Sequence, residues 1–572
     1  MEGIEVIKRL LKRIYGEDKG EKAFNKILPL IESFPVQETQ RTGYFSEKDV
    51  VLITYGDTLN RKGETPLTTL HKFANHYLKG AISTIHFLPF FPYSSDDGFS
   101  VMDFLEIDPR LGSWKEVASI GKDFELMFDY VVNHFSSKGQ WFRNYLEGRD
   151  GFAEFAVEVD PATDLSIVTR PRSLPLLSEY QKKDGQTVHL WTTFSADQID
   201  FNFKSLDVLT KMIEVLLFYV KQGAAVLRLD AIAFLWKEIG TNCIHLSQTH
   251  DMVKLFRAVL DLVAPDVIII TETNVPHNEN ISYFGDGRDE AQMVYNFTLP
   301  PLLFYSFVKE DATIFSEWAK GLYLESESNT FFNFAASHDG IGVRPLEGIL
   351  DAKELDGLVE VVKANEGQVS YKQNPDGSES PYELNITYVD AILADKSSTL
   401  AAKFLASQSI QYALPGVPAT YIHSLLGSRN WADGVEETGR ARTINREKLQ
   451  VEDLISDLKN PESFRSKIFF SYLNLIKIRA QQQAFHPNAG FEILDIGPKF
   501  FAIKRFHRYQ VIYAITNISS TPSSVSMAEL GISDQTVDLI SGKRINGSSL
   551  ELRPYQYVWL SNLDNLYNSR EQ

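Results

Sequence analysis

Short apolar runs separated by longer segments of mixed polarity dominate the chain from residue 50 to residue 423. In chain order the runs are VVLITY, ISTIHFLPF, FELMFDYVV, AAVLRLDAI, VIIITE, MVYNF, FFNFAASHD and PATYIH. A run of this length is typical of a strand buried on both faces, and the helical or polar segments between the runs are typical of repeated βα units. Eight such units predict an α/β fold, a closed (β/α)8 TIM barrel.

Different patterns flank the predicted barrel. Before it, apolar residues at helical spacing predict two amphipathic helices in an N-terminal extension, residues 1–45. After it, apolar and polar positions alternate through FAIKRFH, YQVIYAITN and YQYVWL. This alternation predicts a small C-terminal antiparallel β domain at 489–572 and leaves 46–488 for the catalytic barrel.

Two segments inside the barrel are too long to be simple connections. Residues 141–200 contain the run TRPRSLPLL, and residues 340–395 contain the turn-rich run NPDGSESP. We interpret the first as an inserted domain, domain B, and the second as an inserted loop lobe. Because both follow predicted strands, both should emerge at the C-terminal face of the barrel, which carries the active site in this fold.

Charge and composition exclude several partners. The 572 residues carry a net charge of −18, which disfavours a nucleic-acid partner. The single cysteine, Cys243, excludes an internal disulfide and a cysteine-based zinc cluster, and no HExxH spacing occurs. The N-terminus has no signal-peptide core and no apolar run is long enough for a membrane span. We therefore expect a cytoplasmic protein with no metal, no cofactor and no membrane partner; the oligomeric state stays open.

Polar residues cluster where the predicted strands end. These residues are Asp129, Asn133 and His134 after FELMF, Arg228 and Asp230 in AAVLRLD, Glu272 after VIIIT, and His338 and Asp339 after FFNFAAS. One acid after a strand is more often the N-cap of a helix. Acids or Arg/His pairs at four strand ends favour convergence on one pocket.

Three carboxylates in one pocket suit the cleavage of a glycosidic bond. Their mutual repulsion raises the pKa of one acid and leaves it neutral beside charged neighbours. One carboxylate can then attack the anomeric carbon while the neutral acid protonates the leaving oxygen. Arg228, two residues before Asp230 on the same strand face, is expected to keep Asp230 ionised and nucleophilic.

DYVVNH, LRLDA, the Glu of ITETN and ASHD resemble, in order, the four motifs of the α-amylase superfamily of glycoside hydrolases. The resemblance implies that Asp230 is the nucleophile, Glu272 the general acid/base and Asp339 the residue that binds sugar hydroxyls and stabilises the transition state. It further implies that three residues line the glucosyl subsite, namely His134, His338 and Arg228.

Other segments are similar to the sucrose phosphorylase branch of that superfamily. They are SSDDGFS, TRPRSLP, GTNCIHL, NFTLPPLL, SHDGIGV and GVPATYIHSLLGSRN. This similarity implies that Asp96 and Phe99 close the glucosyl subsite and that Arg442 pairs with Asp96. It also implies that Arg172 binds phosphate, with Arg170 as a second candidate.

The chain departs from the sucrose enzymes at the acceptor side. Ser380, Pro381, Tyr382 and Glu383 stand where those enzymes have Asp-Leu-Tyr-Gln, and Thr169 replaces a Tyr. With the N-terminal extension, these features look more like the glucosylglycerate phosphorylases. Tyr382 and Glu383 then become candidate substrate-binding residues.

The resemblance implies a retaining glucoside phosphorylase that converts 2-O-α-D-glucosylglycerate and phosphate into α-D-glucose 1-phosphate and D-glycerate. Five loop arginines suit an anionic acceptor: Arg170, Arg172, Arg429, Arg440 and Arg442. Glu383 would repel glycerate unless an arginine intervenes or Glu383 binds hydroxyls. Sucrose, sucrose 6′-phosphate or glucosylglycerol as substrate, a hydrolase or transglucosidase, and a non-catalytic sugar-binding barrel remain alternatives.

Overall fold

The computed structural model describes residues 2–39, 43–324, 326–374, 378–392, 399–532 and 536–562. The N-terminal extension, the inserted loop lobe and the C-terminal β domain proposed from the sequence each fall partly outside these residues, as do three residues of NPDGSESP. The domain boundaries therefore stay predictions.

Eight parallel strands close into a barrel in chain order. They are β1 (Val51–Thr54), β2 (Thr84–Phe87), β3 (Glu125–Tyr130), β4 (Ala224–Leu229), β5 (Ile268–Thr271), β6 (Met293–Tyr295), β7 (Thr330–Phe334) and β8 (Val417–Tyr421). Six of the eight apolar runs contain a whole strand, and the other two, FFNFAASHD and PATYIH, begin one residue after the start of β7 and β8. Nearly all of the strand residues are buried. The predicted (β/α)8 barrel is confirmed.

Helices surround the barrel and connect its strands. Their bounds are Pro66–Phe73, Trp114–Ile120, Gln140–Leu146, Leu206–Lys221, Ser247–Val263, His277–Ile281, Leu299–Lys309, Thr313–Lys320, Ala352–Ala364, Tyr388–Ala391, Leu400–Ala413, Ile422–Leu425, Ala432–Thr438, Val451–Lys459 and Phe464–Arg479. The last of these begins after Ser463, whose side chain accepts a hydrogen bond from the backbone N–H of Ser466. Such a cap satisfies one of the free donors at a helix start.

Two N-terminal helices pack on the outside of the barrel. Helix α1 (Glu2–Tyr15) contacts Ser247–Val263, and α2 (Glu17–Glu32) contacts Leu206–Lys221. The hydroxyl of Tyr15 donates to the backbone oxygen of Phe203 at 2.8 Å. The extension is thus attached to helices on either side of β4, the strand that leads to Asp230.

A six-stranded antiparallel sheet follows the barrel. In chain order its strands are β9 (Gly490–Leu494), β10 (Phe500–His507), β11 (Gln510–Asn517), β12 (Thr536–Asp538), β13 (Arg544–Ile545) and β14 (Tyr557–Asn562). Ser523–Ser526 pairs with Ser549–Leu552 in a separate ribbon. Arg505 donates to the backbone oxygens of Ala413 and His486 and so joins the sheet to the barrel. The predicted C-terminal antiparallel domain is confirmed.

Short sheets form in the two long insertions and beside the barrel. His134–Ser136 pairs with Gln198–Asp200, and Leu177–Gln181 pairs with Thr187–Trp191. After β7, Ile341–Gly342, Glu379–Asn385 and Gln368–Gln373 form a three-stranded sheet. Leu59–Asn60 pairs with Leu449–Gln450.

The two insertions follow β3 and β7, at the C-terminal face of the barrel. Among the described residues, no helix is both long and apolar enough to cross a membrane.

Candidate active site

A cavity of about 900 Å³, open to solvent, lies at the carboxyl ends of the barrel strands. Every predicted site residue except Arg170 lines it: Asp96, Phe99, His134, Arg172, Arg228, Asp230, Glu272, His338, Asp339, Tyr382, Glu383 and Arg442. These residues come from the ends of five strands, the two insertions and a late loop. The barrel therefore brings together side chains that are far apart in the sequence.

The buried guanidinium of Arg228 lies at the centre of the acidic groups. Its Nη1 donates to Asp129 and, at 2.7 Å, to Oδ1 of Asp230, and its Nη2 lies 3.9 Å from Oε2 of Glu272. The parallel register pairs Asp129 of β3 with Arg228 of β4, which places both side chains at one level. His86 on β2 contacts the other oxygen of Asp129 at 2.9 Å. The cation is thus compensated by the acids around it.

Burial and Arg228 act in opposite directions on Asp230. Burial raises the pKa of Asp230 to about 7, although Arg228 opposes the rise. Burial also raises the pKa of Glu272 to about 7. The expectation that Arg228 keeps Asp230 ionised therefore stays a prediction, because burial opposes the effect of the guanidinium on the pKa of Asp230. Because Arg228 contacts Asp230 but lies 3.9 Å from Glu272, a single proton on the pair belongs on Glu272, and Asp230 is then the charged member.

Asp339 is held in its charged form. Burial opposes ionisation, but Arg442, His338 and Arg446 together keep the pKa of Asp339 far below its usual range. Nη1 of Arg442 lies 2.5 Å from Oδ1 of Asp339, and Nη2 of Arg446 lies 3.8 Å from the same oxygen. The cavity therefore holds a permanently charged carboxylate beside a pair that carries a proton.

Arg442 does not form the expected pair with Asp96. It donates from Nε and Nη2 to the two oxygens of Glu383, at 2.9 and 2.6 Å, in addition to its contact with Asp339. Asp96 instead accepts from Nε2 of Gln198 at 3.3 Å. The reason is that Glu383, on a strand of the second insertion, is buried directly against Arg442 and offers two acceptors to its forked donors.

Arg446 is a site residue that sequence reasoning missed. It is buried, it contacts Asp97, and its Nε donates to the backbone oxygen of His338 at 2.9 Å. Its guanidinium lies over the ring of Tyr55, 5.7 Å from the centroid. The run GRARTINR contains three arginines, and the four-residue spacing between Arg442 and Arg446 was the available signal for a second site arginine.

Phe99 and the two histidines form an aromatic wall. The ring of His338 stacks on Phe99 with centroids 4.9 Å apart, and Arg228 lies over the same phenyl ring at 5.6 Å. Nε2 of His134 lies 3.0 Å from the backbone oxygen of Phe99. Burial lowers the pKa of His338 to about 3, so this imidazole is neutral at pH 7 and can exchange hydrogen bonds with a neutral ligand.

Arg172 differs from the other arginines of the cavity because it has no carboxylate within ion-pair distance among the described residues. Its guanidinium lies over the ring of Tyr382, 5.8 Å from the centroid. Arg228 and Arg442, by contrast, are bound to carboxylates. Arg172 is therefore the available anion-binding group in the cavity.

The remaining arginines of the expected anionic set lie elsewhere. Arg170 donates to the backbone oxygen of Leu174 within its own loop. Arg429 is paired with Asp390 at 2.5 Å, and Arg440 is exposed. None of these three lines the cavity. Arg170 and Arg172 therefore lie in different environments, although only two positions separate them in the sequence.

A lysine lies against Asn133, one of the polar residues that follow β3. Nζ of Lys237 lies 2.7 Å from Oδ1 of Asn133 and 2.7 Å from Oδ2 of Asp200, and all three side chains are buried. The ammonium group thus fills the space between an amide oxygen and a carboxylate. In the part of the chain that the structure describes, no group of three or more His, Cys, Asp or Glu side chains could hold a metal ion.

Comparisons with known proteins agree with this geometry. The family of α-amylase catalytic domains matches residues 75–340. A glucosylglycerate phosphorylase from Spirochaeta thermophila is 48% identical over 514 residues, covering 88% of this chain and 87% of the relative. A glucosylglycerate phosphorylase from Escherichia coli strain K12 is 44% identical over 554 residues, covering 96% and 98%.

A solved structure is similar over most of the chain. The crystal structure of sucrose 6F-phosphate phosphorylase from Thermoanaerobacter thermosaccharolyticum superposes with a TM-score of 0.72 at 24% identity. The match covers 82% of this chain and 94% of that one. The likeness confirms the fold.

Replacing Lys237 with Met tests the internal cation. The change keeps most of the volume but leaves Asp200 buried without its cation, so we expect a loss of about 3 kcal/mol in the free energy of unfolding. Urea-induced unfolding measures this change in the free energy of unfolding. The matched control is Lys211→Met, because Lys211 pairs with Glu214 on a partly exposed helix surface and should contribute under about 1 kcal/mol. Equal stability of the two variants would contradict the role of Lys237.

Proposed function

The chain belongs to the glucosylglycerate phosphorylase family, within the α-amylase superfamily, and we propose that it catalyses the reversible phosphorolysis of 2-O-α-D-glucosylglycerate. The products are α-D-glucose 1-phosphate and D-glycerate. The observation that carries the proposal is the 44–48% identity to phosphorylases with this name over most of the chain. The guanidinium of Arg172, which has no carboxylate within ion-pair distance among the described residues, lines the same cavity as Asp230 and Glu272 and supports the proposal.

In the first step Asp230 attacks the anomeric carbon of the glucosyl group. The glycosidic bond breaks, Glu272 gives its proton to the departing oxygen, and a β-glucosyl ester with Asp230 remains. The raised pKa of Glu272 supports this role, because the acid must be protonated near neutral pH. Glycerate then leaves.

In the second step phosphate attacks the same carbon from the face that glycerate left. The bond from phosphate oxygen to carbon forms as the ester bond to Asp230 breaks, and the hydroxyl proton of phosphate passes to Glu272. Glu272 is thereby restored as the acid. Two inversions give net retention, so the sugar phosphate is the α anomer.

The glucosyl group binds against the wall of the cavity where charged side chains already contact one another. Asp339 binds sugar hydroxyls and faces the positive charge that develops on the ring. Its ion pair with Arg442 keeps it charged at all working pH values. Asp96, Phe99 and His134 close the far end of this subsite.

The acceptor side is suited to anions. Glu383 does not repel glycerate, because Arg442 occupies both of its oxygens. Arg172 is free to take the glycerate carboxylate in one half-reaction and phosphate in the other, since glycerate leaves before phosphate enters. Its forked donors fit either anion and hold phosphate in position ahead of water.

A comparison of four glucosides tests the proposed function. With phosphate present, we expect kcat/KM for 2-O-α-glucosylglycerate to exceed that for sucrose, sucrose 6′-phosphate and glucosylglycerol by at least about tenfold. Parallel reactions without phosphate measure hydrolysis. Preference for sucrose or its phosphate would contradict the assigned acceptor, and equal turnover without phosphate would indicate a hydrolase. No turnover of any glucoside would favour a non-catalytic sugar-binding barrel.

Replacing Arg172 with Ala tests the anion site. Because a charge-assisted contact is lost, we expect the KM for phosphate to rise roughly tenfold or more and the hydrolysed fraction of substrate to increase. The matched control is Arg170→Ala in the same loop, which should change the phosphate KM by less than about twofold because Arg170 does not line the cavity. If the two variants behave alike, phosphate binds elsewhere.

A further inference from the structure

The loop 94–100, which brings Asp96 and Phe99 to the cavity, has three successive residues in the left-handed region of backbone conformation. The φ angles are 54° at Asp96, 48° at Asp97 and 113° at Gly98. Glycine adopts this region readily, but a left-handed aspartate costs free energy relative to an ordinary backbone. Such a conformation persists only where the surrounding contacts hold it in place.

Asp197, in the first insertion, contacts both ends of the loop 94–100. Its Oδ2 accepts hydrogen bonds from the hydroxyls of Ser94, at 2.6 Å, and Ser95. Its backbone oxygen accepts a hydrogen bond from the hydroxyl of Ser100 at 2.8 Å. The backbone N–H of Ser94 also donates to the backbone oxygen of Ser100 at 3.0 Å, which closes the base of the loop. A single residue of the insertion thus holds the loop at its base.

The other oxygen of the same carboxylate is bound outside the loop. Oδ1 of Asp197 accepts a hydrogen bond from the hydroxyl of Ser137 at 2.6 Å. Burial opposes ionisation, but the serine hydroxyls outweigh it and lower the pKa of Asp197 below its usual range. Hydrogen bonds to an ionised acceptor are stronger than those to a neutral one, so a charged carboxylate suits this holding role.

Three side chains of the loop contribute to one wall of the cavity. Asp96 and Phe99 line the cavity, and the ring of Phe99 stacks on His338. Asp97 contacts the guanidinium of Arg446, which also donates to the backbone oxygen of His338. The loop is thereby joined to the segment that follows β7. A shift of the loop would move the wall of the glucosyl subsite.

Resting on the glucosyl subsite of the proposed function, we propose that Asp197 is a positioning residue that holds the loop 94–100 and so fixes Asp96 and Phe99 against the sugar. Asp197 does not line the cavity, so it acts through the loop and not by contact with the substrate. Its removal should therefore weaken sugar binding with every acceptor. The competition between phosphate and water should stay unchanged, because Arg172 lies outside the loop.

The experiment measures the Ki of D-glucose as a competitive inhibitor of α-glucosyl fluoride turnover. In Asp197→Ala we expect Ki to rise at least about fivefold, because the sugar must then pay to order the loop. We expect kcat/KM for the fluoride to fall by about tenfold or more, because the sugar is no longer held in place. The ratio of phosphorolysis to hydrolysis should change by less than about twofold. A smaller amount of folded protein lowers the apparent kcat and leaves Ki unchanged, so Ki separates positioning from general damage.

Two serines provide a matched pair, because each donates one hydroxyl to the carboxylate of Asp197. Only Ser95 belongs to the loop, so Ser95→Ala should raise Ki at least about threefold and Ser137→Ala by less than about twofold. Asp538→Ala is a further control. It removes a carboxylate that accepts from the hydroxyl of Ser541 in the C-terminal sheet, and it should leave Ki unchanged.

The outcomes separate this role from the proposed function. If glucose inhibits the unaltered protein and Asp197→Ala has the same Ki, the role of Asp197 alone is overturned. Equal effects of Ser95→Ala and Ser137→Ala on Ki would overturn it as well. If the unaltered protein neither consumes α-glucosyl fluoride nor binds glucose, the proposed function fails and the role of Asp197 fails with it.

Discussion

The buried guanidinium of Arg228 is the interaction on which the carboxyl end of the barrel depends. Without it, Asp129, Asp230 and Glu272 would be three acids grouped together without the guanidinium that lies against all of them. Arg228 can be buried because the parallel register of β3 and β4 places Asp129 directly beside it. The register of the barrel strands therefore also determines which cation compensates the acids at their carboxyl ends.

Pairing of opposite charges also distinguishes two parts of the cavity. In one part of the cavity, charged groups are bound to one another: Arg442 to Asp339 and Glu383, and Arg446 to Asp97. Such contacts fix side chains before a ligand arrives, which lowers the ordering cost of binding. In the other part, Arg172 has no carboxylate within ion-pair distance among the described residues and lies over the ring of Tyr382. Side chains that are already fixed suit the sugar, which is the same in both half-reactions. A guanidinium without a bound carboxylate suits the anion, which is exchanged between them.

Much of this arrangement could be predicted from the sequence, and the exceptions have a common cause. Apolar runs located the strands, and acids at the run ends located Asp230, Glu272 and Asp339, because both signals are local. Arg228 and Asp230 are also local, two residues apart on one strand. The partners of Arg442 could not be predicted, since Glu383 reaches it from an inserted lobe 59 positions earlier in the chain.

Lys237 was missed for the same reason. Its role arises from Asn133 and Asp200, which the fold brings to it from distant segments. The raised pKa of Asp230 could not be predicted, because burial, which a sequence does not display, outweighs the neighbouring guanidinium.

The most direct measurement of the central claim identifies the carboxylate that carries the sugar. The Glu272→Gln variant is mixed with α-glucosyl fluoride, whose departure needs little protonation, in the absence of phosphate. The reaction is stopped in acid, and the digested protein is examined by mass spectrometry. The account predicts one added glucosyl residue on the peptide that contains Asp230. An added glucosyl residue on the peptide that contains Asp339, or on neither peptide while the fluoride is consumed, would contradict it.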